Sequence, residues 1–466
     1  MMKRFLLLGL VDLAAACGGG TLASQDAGAD AAALADGGRA DAAGMDAAGM
    51  DGGSSSCPTP QGPTMHQSSV NGQERWTAEG SPHILPYDTT VYDSLVIERC
   101  AEVRIASRKT LTVRGELRTE GTADGRVRIT SMEAGQRWAS IRASLGGGTL
   151  SFAYTTIEGG GEPLNTLPYL TGVIDAQGTD QTMPPQQTVH VDHVEIAGSA
   201  SNGVVLRDGA GFSSASTDLT VTGAAQFPVS IWASAVGTLP AGSYTGNTVD
   251  EVLIPAIEMI PWDTTIHHRG VPYRIGHQGS SGDFRVQSGE PNAPALLTIE
   301  PGVTLRFKRD GVFKVEHFKN MGPASGALIA VGTPTQPITF TSAEATPASG
   351  DWYGLWFGST ADPRNRLENV VIEYAGKESA SGSGSCHPSG PGVPNAGAVR
   401  FIAYDPPASG FIASSTIAHS SGHGIDRGWL GAPVDFLATN TFVDIAGCWQ
   451  SYPNVNGCPM PAPCPQ

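Results

Sequence analysis

Between Trp76 and Trp449 the chain alternates apolar and polar residues in short bursts. Val103-Arg104-Ile105, Leu111-Thr112-Val113, Val127-Arg128-Ile129 and Leu305-Arg306-Phe307 share one pattern. Each puts two apolar side chains on one side of an extended segment and a polar one on the other, the period of a half-buried strand. Gly, Thr, Pro, Asp or Asn bounds each burst within a few residues, which marks turns. No amphipathic helical stretch is long enough to cross over a sheet. Many short strands without helices predict a sandwich, a barrel, a propeller or a solenoid.

The same bursts recur in order, as two copies. Trp76 with Pro86-Tyr87 is matched by Trp262 with Pro272-Tyr273. Val103-Arg104-Ile105 then matches Leu305-Arg306-Phe307, and Gly121-Thr122 matches Gly332-Thr333. Val127 to Ser131 matches Ile338 to Ser342, Trp138 matches Trp352, and Ile157-Glu158 matches Ile372-Glu373. The offset grows from 186 residues at Trp76/Trp262 to 215 at Ile157/Ile372, as small insertions in the second copy require. Within a copy, apolar bursts return at spacings in the twenties and low thirties, as from Ile105 to Ile129 and Ile129 to Ile157. That is the range of stacked solenoids.

The run from Leu297 to Phe307, then Gly326 to Thr333, Pro337 to Ser342, Trp352 to Phe357 and Asn369 to Gly376 resembles the right-handed parallel β-helix proteins of bacterial surfaces, the pectin lyase-like fold. The resemblance covers roughly Trp76 to Trp449 and is stronger in the second copy. It implies an all-β, right-handed parallel β-helix (solenoid), with two similar modules in tandem. In the first copy Arg99-Cys100 replaces the Pro301-Gly302 turn, so that corner is expected to be built differently. The expected organisation is a signal peptide over 1–16, a linker over 17–56, β-helical modules over 57–255 and 256–447, and a Cys/Pro-rich cap over 448–466.

Composition narrows the class. The chain has 466 residues, 60 of them Gly, and 15% are charged. A coiled coil is excluded, and with 40% hydrophobic residues so is disorder along the whole chain. A formal charge of −16 argues against a nucleic-acid partner, which needs a basic face.

Lys3 and Arg4, an apolar run from Phe5 to Val11, and Ala14-Ala15-Ala16 before Cys17 read as an export signal. The arrangement resembles a bacterial lipobox, which implies acylation of Cys17 and tethering to a membrane by lipid. Ala14 stands where the lipobox has Leu, and the alternative is an ordinary signal cut further on. No later run reaches the ~18 apolar residues of a membrane-spanning helix. Residues 18–56 carry six Asp against Arg39 and read as a flexible acidic spacer. The expected location is the outer membrane or cell surface of a bacterium.

Beyond Cys17 stand Cys57, Cys100, Cys386, Cys448, Cys458 and Cys464. An even count in an exported chain predicts disulfides, with fifteen possible connectivities. Cys57 and Cys100 are the only two in the first half and are expected to pair. The others would staple a Pro-rich tail (Pro453, Pro459, Pro461, Pro463, Pro465) over the last coil. Cys386-His387 raises a metal site as the sharper alternative, but no C-x-x-C spacing supports it.

Pectate lyases and polygalacturonases, which share the fold the chain resembles, need clustered carboxylates for calcium or for acid–base work. This chain has no Asp-Asp pair and no Asn-Thr-Asp triplet. Gly422-His423-Gly424 matches the Gly-His-Gly of polygalacturonases, but in a Gly-rich chain a tight turn entering the strand at Ile425 is the preferred explanation. His419 and Asp426 stand nearby. The densest ionisable stretch is His190 to Glu195. Alternation there would place His190, Asp192 and Val194 on one face, opposite Val189, Val191 and His193. Asp192, His193 and His423 are the catalytic candidates, against a solvated strand face. His267-His268 falls in an expected connection. Long loops at 159–187 and 376–396 occupy one coil position in both copies, where binding sites commonly emerge. Tyr169 there is a candidate to stack on sugar.

The expected function is non-catalytic: a surface binding or structural protein contacting extracellular polysaccharide. The rival is a polysaccharide lyase or glycoside hydrolase using a groove along the coils, with calcium as cofactor. A mechanical spacer without ligand is the third reading.

Overall fold

The structure is a computed structural model. It describes residues 56–466 except 145–146, 165–169, 181–183, 256–257, 278–281, 290–292, 316–324, 360, 380–395, 404–405, 429–433, 453–463 and 465–466. Cys17, Tyr169, Cys386, His387 and Cys458 lie outside the described residues.

The fold is the all-β parallel helix expected from the right-handed class. One sheet of thirteen parallel strands runs from Thr89–Val91 to Thr441–Ile445, each strand paired with the next coil's. A second thirteen-stranded sheet is creased into two limbs. Its pivot is Gln186–Ala197, twelve residues long. Its first half pairs with Thr149–Ala153 and its second half with Thr155–Glu158. Beyond them come a six-stranded sheet, Glu258–Ile260 to His423–Arg427, and a five-stranded sheet, Thr264–Ile266 to Ile412–Ala413.

Alternation explains the core. Val103, Ile129, Ile157, Ile196 and Val221 stand in register on one limb. Leu95, Leu117, Leu150, Val189 and Phe212 do so on the other. All ten are buried, each contributing about 1.5–3 kcal/mol by leaving water. Adjacent strands lie ~4.8 Å apart, so the rows form continuous apolar columns.

The sequence repeat reappears as repeated bonding. Trp138 donates its indole N–H to the carbonyl of Glu158, and Trp352 to that of Glu373, both at 2.9 Å. Thr122 and Gly125 exchange backbone hydrogen bonds, as do Thr333 and Gln336. The corner at Arg99-Cys100 corrects the expectation. Cys100 has φ 66° and Gly302 φ 82°, and both corners close with the same backbone bond three residues back. A left-handed residue is what this turn needs, and Cys supplies it as Gly does elsewhere.

The two-module division is not confirmed. Ser54–Gln466 form one compact unit, and the long sheet runs through both copies. Matched strands also occupy different sheets. Glu102–Ile105, Val127–Ser131 and Thr155–Glu158 lie in the creased sheet. Their counterparts Thr304–Phe307, Ile338–Ser342 and Val370–Glu373 lie in the long sheet. The second copy is therefore turned one face around the axis relative to the first.

Cys57 pairs with Cys100, as expected, and Cys448 pairs with Cys464.

Candidate functional site

In one coil a strand is replaced by a turn. After Val229–Ile231 the chain forms a 3-10 turn, Ala233–Thr238. It packs against Ala210–Phe212, Glu258–Ile260 and Thr264–Ile266. Ala, Ser and Gly keep it compact. Thr238 fastens it: its hydroxyl accepts from the Phe212 N–H at 3.0 Å and donates to the Ala235 carbonyl at 2.7 Å.

A 3-10 turn reaches less far per residue than a strand, and a cleft of about 370 Å³ opens beside it. Gln187, Phe212, Ser214, Ser216, His267 and Arg269 are among its walls, and none of its described lining residues is Asp or Glu. Arg269 is fixed through Nε and Nη2 to the Leu239 carbonyl, at 3.0 and 2.8 Å. His267 Nδ1 donates to Glu300 at 2.8 Å, and the His268 N–H bonds the other carboxylate oxygen at 2.7 Å. Burial pushes the Glu300 carboxyl up, but these two bonds and the His267 and Arg269 charges outweigh it and hold it below the usual range. Beneath lie Tyr244 and Tyr273, fully buried, donating to the Pro240 and His267 carbonyls. Burial raises both phenols far above their ordinary value, so they stay neutral.

The candidates named from sequence lie elsewhere. Asp192 and His193 are brought together, with His193 Nδ1 2.7 Å from Asp192 and Nε2 3.6 Å from Asp218. The His193 ring lies flat on Tyr154, centroids 4.5 Å apart. The expected alternation fails at this point. His193 has φ 54°, and one left-handed residue resets the sequence of faces. Val194 therefore points inward with Val191, and His193 sits at the crease. A like arrangement recurs where His419 stacks on Tyr374, centroids 4.9 Å apart, and bonds Asp444 at 2.9 Å.

His423 is not brought near that pair: it lies in the six-stranded sheet and is 1% exposed. Its Nδ1 accepts the backbone N–H of Cys448 at 2.9 Å. Asp426 pairs with Arg400, both wholly buried. Among the described residues, no group of three His, Cys, Asp or Glu is placed to hold a metal.

Two clusters escaped the sequence reading. The cleft is one; its signal is the stretch Ala233–Thr238, small residues with no apolar alternation and no partner in the repeat. The other is a row in register across the six-stranded sheet, Arg285, Lys314, Trp356, Arg400 and Asp426. Lys314 and Arg400 sit over the Trp356 ring at 5.5 and 4.8 Å. Only stacking brings residues so far apart in sequence into one row.

No protein-family model, curated protein or solved structure matches the chain.

Proposed function

We propose that the protein is a non-catalytic, saccharide-binding β-helix of the pectin lyase-like class, exported and tethered by lipid on Cys17. The observation that carries this reading is the cleft beside Ala233–Thr238. It offers hydroxyls, an amide, a guanidinium and one aromatic edge, a lining suited to sugar hydroxyls. Its described lining residues include no carboxylate and so supply no acid–base pair for cleaving a glycosidic bond. Export fits the paired cysteines, since disulfides persist in oxidising compartments.

The test is retention of the full-length protein on immobilised neutral and acidic polysaccharides, with and without calcium, while product ends are assayed. Retention without products is the expected result. New reducing or unsaturated ends would overturn it and return attention to Asp192 and His193. Passage through every polymer without retention would leave the mechanical spacer.

A further inference from the structure

We infer that Arg269 makes the cleft selective for saccharides carrying an oxyanion, a carboxylate or a sulfate. This rests on the saccharide-binding reading. Arg269 takes part in no ion pair among the described residues, and its fixed Nε–Nη2 edge leaves other N–H donors of the guanidinium unspent. The carboxylate that feels its charge, Glu300, has both oxygens engaged by His267 and His268. Tyr244 and Tyr273 are close enough to feel its charge, but they are neutral and their hydroxyls are committed to backbone.

A guanidinium held in one orientation presents a fork that matches carboxylate or sulfate oxygens. The surrounding molecule works against general attraction: at a formal charge of −16 it repels polyanions at long range. Preference for a charged sugar must therefore arise locally; of the two basic residues in the described lining, His267 is engaged by Glu300, which leaves Arg269 to supply it.

The experiment compares three dextrans of equal length, unmodified, carboxymethylated and sulfated, by affinity electrophoresis of the full-length protein. Wild type is expected to bind at least one charged dextran tenfold or more tighter than the unmodified one, roughly the low end of a charge-assisted hydrogen bond. The charged arms reveal which oxyanion is preferred. Arg269→Gln should abolish the advantage, bringing the charged dextrans to the level of the unmodified one, while Arg269→Lys keeps part of it. An unchanged ratio in Arg269→Gln, or equal binding of all three by wild type, overturns the inference. Ser214→Trp, which fills the cleft from an exposed position, separates the two ideas. If it weakens all three dextrans while Arg269→Gln changes nothing, only the role of Arg269 fails. If it weakens none, or wild type binds none, the cleft reading fails as well.

Discussion

His66 and His83 share one hydrogen bond across the first coils: Nε2 of His66 lies 2.9 Å from Nδ1 of His83. The Thr77 carbonyl accepts from His83 Nε2 at 2.9 Å, so Nδ1 is left as the acceptor and His66 donates. Both rings stack on Trp76, at centroid distances of 4.0 and 5.2 Å. A proton added to His83 Nδ1 would set two donors against each other.

Acid should therefore loosen the N-terminal coil. Burial lowers both imidazoles; the charge of His83 adds to this at His66, opposed by Glu74, and the Thr77 bond opposes it at His83. With folded values below the unfolded 6.5, the unfolded chain binds more protons as pH falls, and stability is lost below about pH 6.5. The melting temperature should drop from pH 7 to pH 5, with a change in Trp76 emission. His66→Gln should flatten that slope. The carboxylates held low, Asp283 and Glu300, lose their contribution in a more acidic window. An unchanged melting temperature from pH 7 to pH 5 would contradict this.

Trp138 and Trp352 should respond alike. Each is wholly buried, and its indole bonds a carbonyl twenty or so residues on. Replacement by Phe should cost about 1–3 kcal/mol through the orphaned carbonyl and lost volume, and by Ala about 3–5 kcal/mol. Urea denaturation of the four variants checks this. Unequal losses at the two positions would mean that the matched bonds are not energetically equivalent.

The first-copy corner depends on a crosslink where the second depends on glycine. Gly302→Ala should cost about 1 kcal/mol or more because of its positive φ. Reducing Cys57–Cys100, whose partners are separated by 43 positions in sequence, should cost about 2–4 kcal/mol. Calorimetry with and without reductant gives both values, provided Cys448–Cys464 is followed separately by Cys464→Ser.

His423 should behave as a structural residue and His193 as a surface one. His423→Ala leaves the buried N–H of Cys448 without its acceptor, at about 1–3 kcal/mol. His193 is partly exposed, and His193→Ala should change stability by less than about 1 kcal/mol. Thermal melts of the two variants decide. Equal effects would refute the assignment.

The strands were legible because alternation is local: Val127-Arg128-Ile129 announces its buried face without knowing its neighbours. The repeat was legible because Trp138 and Trp352 need the same pocket. The crease at His193 was not, because a histidine can take the left-handed conformation and nothing in its neighbours reveals that it does. The cleft was not legible either. Gln187, Ser214 and Arg269 acquire a common meaning only after the coils are counted.

The one-face displacement of the second copy has a mechanical reading. A parallel β-helix is a screw thread, and its winding is continuous past the turn: Val229–Ile231, Val252–Ile254 and Tyr273–Ile275 stack without a break in the long sheet. The sequence repeat therefore does not span a whole number of coils, and equivalent side chains are dealt out to successive faces. The recess has a separate source, the shortened step at Ala233–Thr238. A strand there would close the recess and leave the phase of the two copies as it is.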